Sequence, residues 1–144
     1  MAIPDEELRA ILSSARTIAV VGLSDKPDRD SHTVAEYLQS EGYRIVPVNP
    51  SLTEVLGERS YPSLTAIPPE VHVDIVDIFR RSDQVPPVVD EALARGRPVI
   101  WMQLGVEHAE AAARARAAGA TVLENRCIRV DHQRLGIPAR PQGS

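Results

Sequence analysis

A glycine, a hydroxyl and two cations follow one short apolar run, and no other stretch of this chain is so well suited to chemistry. Ile18, Ala19, Val20 and Val21 lead into Gly22, Leu23 and Ser24; Lys26, Arg29, Ser31 and His32 come next, in one loop and the start of a helix. Backbone N–H groups at a glycine turn, beside the positive end of a helix, form a seat for a phosphate or another anion. Two cations near a helix N-terminus oppose the helix dipole, and an anionic ligand relieves that conflict. The dinucleotide fingerprint G-x-G-x-x-G is absent, because its positions read Gly22, Ser24 and Pro27. The second apolar run ends Val48-Asn49-Pro50, without the Asp or Glu that would hold a nicotinamide ribose. NAD is disfavoured on both counts.

No catalytic set stands out beside this turn. His32, His72, His108 and His132 are scattered, with no His-x-x-x-His or His-Glu-x-x-His spacing for a metal, and each reads as a surface or capping residue. Ser24 lies in no Gly-x-Ser-x-Gly elbow. Asp74 and Asp77 flank Ile75 and Val76 and read as turn or edge-pairing residues; Trp101 reads as core or crevice wall. Cys127 is the only cysteine, which excludes an intramolecular disulfide and a zinc site built from several cysteines.

The elements that must position these residues alternate along the chain. Five runs rich in β-branched residues fall at 17–21, 43–48, 73–79, 98–102 and 120–123. Most are apolar throughout rather than alternating, the pattern of strands covered on both faces. Helical patterns surround them. Leu8, Ile11, Leu12 and Ala15 open the chain; Val34, Ala35 and Leu38 mark a second helix; Val85, Val88, Val89, Ala92 and Leu93 make the stripe of a third; and an alanine-rich helix covers about 107–118. Gly42, Gly96 and Gly119 each stand where a helix gives way to a strand. Strand alternating with helix predicts parallel strands in one doubly wound α/β domain. Residues 50–72 are the least regular, with one short helical turn expected, and residues 137–144 are expected to fray.

In such a sheet, ligands bind beyond the carboxyl ends of the strands. Those ends are Gly22-Leu23-Ser24, Asn49-Pro50, Phe79-Arg80, Gln103-Leu104-Gly105 and Asn125-Arg126-Cys127. With 144 residues and a net charge of −4, the chain suits one domain and argues against coating nucleic acid. Its acidic start and lack of a long apolar run predict a cytoplasmic protein with neither signal peptide nor membrane span.

Taken together, several motifs resemble the small stand-alone CoA-binding proteins. They are Val21-Gly22-Leu23-Ser24, Lys26-Pro27-Asp28-Arg29, the run from Gly42-Tyr43 to Val48-Asn49-Pro50, Tyr61-Pro62-Ser63-Leu64, the run from Val73-Asp74 to Phe79-Arg80, Trp101-Met102-Gln103-Leu104-Gly105 and Asn125-Arg126-Cys127. These proteins share a Rossmann-like domain with the CoA-binding part of the succinyl-CoA synthetase α-subunit. The resemblance implies a single Rossmann-like domain over residues 1–136 with a five-stranded, mainly parallel sheet. It implies coenzyme A, or an acyl-CoA, as the ligand. Gly22, Leu23 and Ser24 would cradle the diphosphate; Asn49 and Pro50 would border the adenosine; Phe79 and Arg80 would line the adenine and ribose. Gln103 and Gly105 would meet the pantetheine arm, with Arg126 and Cys127 near the mouth. Lys26, Arg29 or Arg80 would anchor the ribose 3′-phosphate, since Ser51-Leu52 stands where relatives place a basic residue. Asp30 and His32 replace a usual Pro and Tyr, and Asn125 a usual Asp. Full acyl-CoA synthetases use further domains, so the resemblance implies binding rather than ligase chemistry. The alternatives are an enzyme or enzyme subunit acting on CoA thioesters, and a redox role in which Cys127 forms a mixed disulfide with the CoA thiol.

Overall fold

A computed structural model of the chain describes residues 3–140. In chain order it holds α1 (Asp5–Ser14), β1 (Thr17–Val21), α2 (Asp30–Ser40), β2 (Arg44–Val48), β3 (Glu54–Val55), β4 (Glu58–Arg59), β5 (Ile75–Ile78), α3 (Val85–Ala94), β6 (Val99–Met102), α4 (Ala109–Ala117), β7 (Val122–Leu123) and α5 (Ile128–Arg134). Pro86 and Pro87 fall in the first turn of α3, where a missing N–H leaves no helix bond unmade. Gly42, Gly96 and Gly119 close three helices at positive φ.

Five strands form one sheet in the order β2-β1-β5-β6-β7, and every pair is parallel. This is the Rossmann-like α/β arrangement. The period-two side-chain rule then decides which residues meet which helices. Ala19, Val21, Val76, Ile78, Ile100 and Met102 face α3 and α4. Ile18, Val20, Ile75, Trp101 and Leu123 face α1, α2 and α5. Both faces are covered, which is why the strands read as nearly continuous apolar runs. From β1 the chain passes to β2 on one side, and the next sheet strand, β5, lies on the other side of β1. The strand order therefore reverses between β1 and β5, and a crevice opens there at the strands' C-terminal ends.

Four expectations need correction. Residues 50–72 carry a small antiparallel hairpin, β3 paired with β4, in place of a helical turn. It docks through Tyr61, whose N–H donates to the Pro47 carbonyl and whose own carbonyl accepts from Asn49. Residues 137–140 are not frayed. Ile137 is buried, the Arg140 N–H donates to the Glu41 carbonyl, and the Arg140 guanidinium binds the carbonyls of Ala15 and Ser13 over the Tyr43 ring; the rest of the expected fraying tail, 141–144, lies outside the described residues. Asp77 is no edge residue: it sits in the central strand between Val20 and Trp101, wholly buried. His32 and His132 are also buried, not superficial, because α2 and α5 turn them toward the sheet.

Candidate functional site

Gly22 ends β1 at φ +89°, and its N–H donates to the Val48 carbonyl of the neighbouring strand at 2.8 Å. A Cβ there would lie 2.2 Å from the Phe79 carbonyl oxygen, so only glycine lets β1 and β5 finish this close together. Leu23 then turns its side chain into the core, and the residue is wholly buried. The Ser24 N–H donates to Ser31 Oγ at 3.0 Å, and Ser24 Oγ accepts from the Lys26 N–H at 3.1 Å. These two bonds fold the loop back over the first turn of α2. Gly22, Ser24, Arg29, Asp30, Ser31 and Phe79 enclose a cleft of about 300 Å³. No side chain caps the N-terminus of α2, which opens on this cleft.

The cations around the cleft are unpaired. Lys26, Arg29 and Arg80 have no ion pair or side-chain hydrogen bond among the described residues. Asp25, Asp28 and Asp30 alternate with the loop cations, so the loop is not positive as a whole. Attraction for an anion therefore rests on backbone N–H groups and on individual cations, not on bulk charge. A larger cavity of about 670 Å³ lies along the outer edge of β7, lined by Ile3, Pro4, Glu7, Arg116 and residues 120–126. Its arginines are already engaged, Arg116 with Glu124 at 3.6 Å and Arg126 with Asp131 at 2.9 Å. It lacks the free cations of the strand-end cleft.

The other expected residues divide into those that face the crevice and those that hold it in shape. Asn49 is a latch: its Nδ2 donates to the Leu23 carbonyl at 3.0 Å, and its Oδ1 accepts from the Ser51 N–H at 2.9 Å. Pro50 is exposed beside it. Phe79 and Arg80 are half-buried at the end of β5. Gln103 is buried, and its Oε1 accepts from the Ile128 N–H at 3.0 Å, so Gln103 caps α5 from a neighbouring strand. Gly105 is exposed, with nothing near the position of a Cβ. Its N–H donates to Asn125 Oδ1 at 2.7 Å, which ties the end of β6 to the turn after β7. Arg126 forms a two-pronged pair with Asp131 at 2.9 and 3.0 Å, which turns its guanidinium into the α5 network. Cys127 is half-buried just before α5. The sequence placed Ser31 in this loop and helix start without giving it a role and missed Asp30 as a lining residue, although its place in the first turn of a helix after a glycine loop was a usable signal.

Three buried polar residues elsewhere in the fold carry unpartnered atoms. Neither Asp77 oxygen, nor His32 Nδ1, nor His132 Nε2 has a hydrogen-bond partner. Burial pushes the Asp77 carboxyl well above the usual carboxylate range, with no nearby charge to offset it. His132 Nδ1 pairs with the Tyr37 hydroxyl at 2.6 Å, and burial lowers its pKa. No cluster of three or more His, Cys, Asp or Glu fit for a metal exists among the described residues. None of the described helices is long and apolar enough to cross a membrane.

Residues 16–133 match the family model described as a CoA-binding domain. The chain belongs to the CoA-binding domain family. Its similarity to an uncharacterised protein of Bacillus subtilis, YneT, is 45% identity over 126 residues, covering 88% of this chain and 92% of that protein. A hypothetical protein from Pyrococcus horikoshii OT3 superposes with a TM-score of 0.89 at 39% identity, covering 93% of each chain. A dinucleotide-forming acetyl-coenzyme A synthetase of Ca. Korarchaeum cryptofilum, solved with phosphate and ADP, gives a TM-score of 0.67 at 26% identity. The match spans 82% of this chain but 27% of the synthetase, so the CoA-binding domain corresponds to one part of that larger enzyme.

Proposed function

We propose that this CoA-binding domain holds coenzyme A or an acyl thioester of it across the C-terminal ends of its strands, without ligase chemistry of its own. The observation that carries the proposal is the cleft at the strand reversal: a glycine turn, an uncapped α2 N-terminus and unpaired Lys26, Arg29 and Arg80. A diphosphate over the Gly22–Ser24 turn meets the uncapped N–H groups of the first turn of α2, because the Gly22 and Ser24 N–H groups already have protein partners, and its charge resolves the clash between the cations and the helix dipole. Asn49 and Pro50 border the adenosine, and Phe79 and Arg80 form the wall beside its ribose. The pantetheine arm then runs past Gly105 toward Cys127, over a floor that Gln103 and Asn125 hold rigid. Asn49, Gln103 and Arg126 support this path as well as bordering it, because the Asn49 amide, Gln103 Oε1 and two Arg126 guanidinium nitrogens already have protein partners.

Isothermal titration of the whole chain with CoA, dephospho-CoA and NAD tests this reading. The expected result is CoA binding well below millimolar, weaker dephospho-CoA, and NAD weakest. Weakening by added salt should be steeper for CoA than for dephospho-CoA, as free cations on a phosphate require. Absence of CoA binding below millimolar would overturn the proposal. Equal affinity for dephospho-CoA would remove the role of Lys26, Arg29 and Arg80 at the 3′-phosphate.

A further inference from the structure

Leu104 and Val130 are the large hydrophobic residues left exposed among the described residues, at 70% and 57%. A single exposed leucine is ordinary on a protein surface, so exposure alone decides nothing. Its setting sets Leu104 apart. It lies between Gln103 and Gly105, on the turn that leaves β6 at the ligand-binding end of the sheet. That turn closes on itself through the Val106 N–H donating to the Gln103 carbonyl at 2.8 Å.

It is also clamped to the turn that carries Cys127. The Gly105 N–H donates to Asn125 Oδ1 at 2.7 Å, the Asn125 N–H to the Val106 carbonyl at 3.0 Å, and the Arg126 N–H to the Met102 carbonyl at 3.2 Å. The Ile128 N–H completes the clamp on Gln103 Oε1 at 3.0 Å, and Trp101 Nε1 donates to the Arg126 carbonyl at 2.9 Å. These cross-links fix the backbone of the turn, and the Leu104 side chain stands exposed on it. Leu104 is therefore held in water, next to a glycine that leaves the surface beside it open.

We infer that Leu104 is an acyl subsite: the physiological ligand is an aliphatic acyl thioester of CoA, whose methylene groups lie against this fixed leucine beyond the pantetheine arm. The inference rests on the CoA reading above, since that reading runs the pantetheine arm past Gly105 toward Cys127, on the turn clamped to the one that carries Leu104. It adds the class of group attached to the sulfur. The chemistry is burial alone: no bond forms or breaks, and the thioester stays intact. Each methylene group withdrawn from water strengthens binding by roughly three- to four-fold, and incomplete coverage on an open turn lowers that figure.

The test uses the whole chain and titrates CoA, acetyl-CoA and hexanoyl-CoA against the native protein, Leu104→Ser and Leu104→Met. The native protein is expected to bind hexanoyl-CoA about ten-fold more tightly than CoA, with acetyl-CoA close to CoA. Leu104→Ser should lose most of that preference and bind CoA unchanged, while Leu104→Met should keep it. Leu104 makes no core contact, so both variants should fold as the native chain does, which thermal unfolding checks. Equal binding of CoA and hexanoyl-CoA by the native protein overturns the acyl subsite but leaves CoA binding intact. So does a preference that survives in Leu104→Ser. If Leu104→Ser instead changes the oligomeric state without touching acyl preference, the leucine covers a protein contact and the inference fails. Failure of CoA itself to bind would sink the underlying reading, a result visible in the same titrations.

Discussion

The two ends of the parallel sheet use their charged and polar groups differently. At the N-terminal end, Asp74 accepts from the N–H groups of Arg16 and Thr17 at 2.9 Å each. Arg95 donates to four carbonyls there, those of Leu64, Ile67, Pro68 and Val71, and Arg140 binds the carbonyls that end α1. At the C-terminal end, Lys26, Arg29 and Arg80 have no partner among the described residues, and the α2 N-terminus is uncapped. Arg95 and Arg140 serve as structural clamps at the N-terminal end, where Arg16, Arg44 and Arg97 have no side-chain partner among the described residues. At the C-terminal end Arg126 is paired, and Arg29 and Arg80 stay free beside the cleft. Folding stability explains the first arrangement, because paired charges and satisfied carbonyls hold the helix ends and loops in place. What sets the free cations at the cleft apart from Arg16, Arg44 and Arg97 is the uncapped α2 N-terminus and the glycine turn beside them, the setting of the anion proposed above.

The largest expected break in this contrast comes from Gly22→Val. Its positive φ and the 2.2 Å approach to the Phe79 carbonyl mean that a side chain forces β1 and β5 apart. We expect stability to fall by about 3 kcal/mol or more and CoA affinity to be lost. Urea unfolding and titration on the folded fraction measure the two effects, and tight CoA binding by folded Gly22→Val protein would show that the cleft is not the seat of the diphosphate. Next in size, Arg95→Met removes four carbonyl partners at the opposite end and should cost roughly 2–3 kcal/mol. CoA affinity should stay within two-fold, roughly the scatter of a neutral change. A parallel loss of affinity would mean that the ends are not independent.

Asp77 breaks the pattern from within, being a buried polar group with no partner close to the functional end. In the unfolded chain its carboxyl ionises near pH 4, roughly the ordinary value. In the folded chain, burial keeps the proton to a much higher pH. Across that window the unfolded chain gives up a proton that the folded chain retains, so stability declines as pH rises and the loss is complete above the folded value. Asp77→Asn carries no such proton. Relative to the native chain it should gain about 1.4 kcal/mol for each unit of pH within the window, the smallest step of the three. Urea unfolding of both proteins from acid to alkaline pH reads it directly, and a constant gap between them would show that Asp77 is ionised in the fold.

Much of this was legible in the residues. Apolar runs at 17–21, 43–48 and 98–102 announced strands covered on both faces, and Gly42, Gly96 and Gly119 marked helix ends that do carry positive φ. Gly22, Ser24, Arg29 and Phe79 were expected at the crevice and line its cleft. What stayed hidden depended on direction. Asn49 and Gln103 are expected beside the ligand by position; that their side chains also close on Leu23 and Ile128 was not visible. Leu23 sits in the glycine turn yet faces the core. Arg126 stands at a strand end, but Asp131, one helical turn on, claims its guanidinium. A linear pattern locates a strand end; it does not say which way each side chain leaves it.

The order of residues alone settled the alternation of strands and helices, the two-sided burial, and the glycine turn that points to an anion. These follow from local rules: side-chain period, helix termination, and the backbone freedom of glycine. Packing in three dimensions was needed for the strand order β2-β1-β5-β6-β7, the near contact of Gly22 with Phe79, the burial of Asp77, and the choice of which arginines keep a free charge. Gly22 and Phe79 lie far apart in the chain and meet only because β5 pairs with β1. A charge counts as free only once every neighbour that packing brings to it is known.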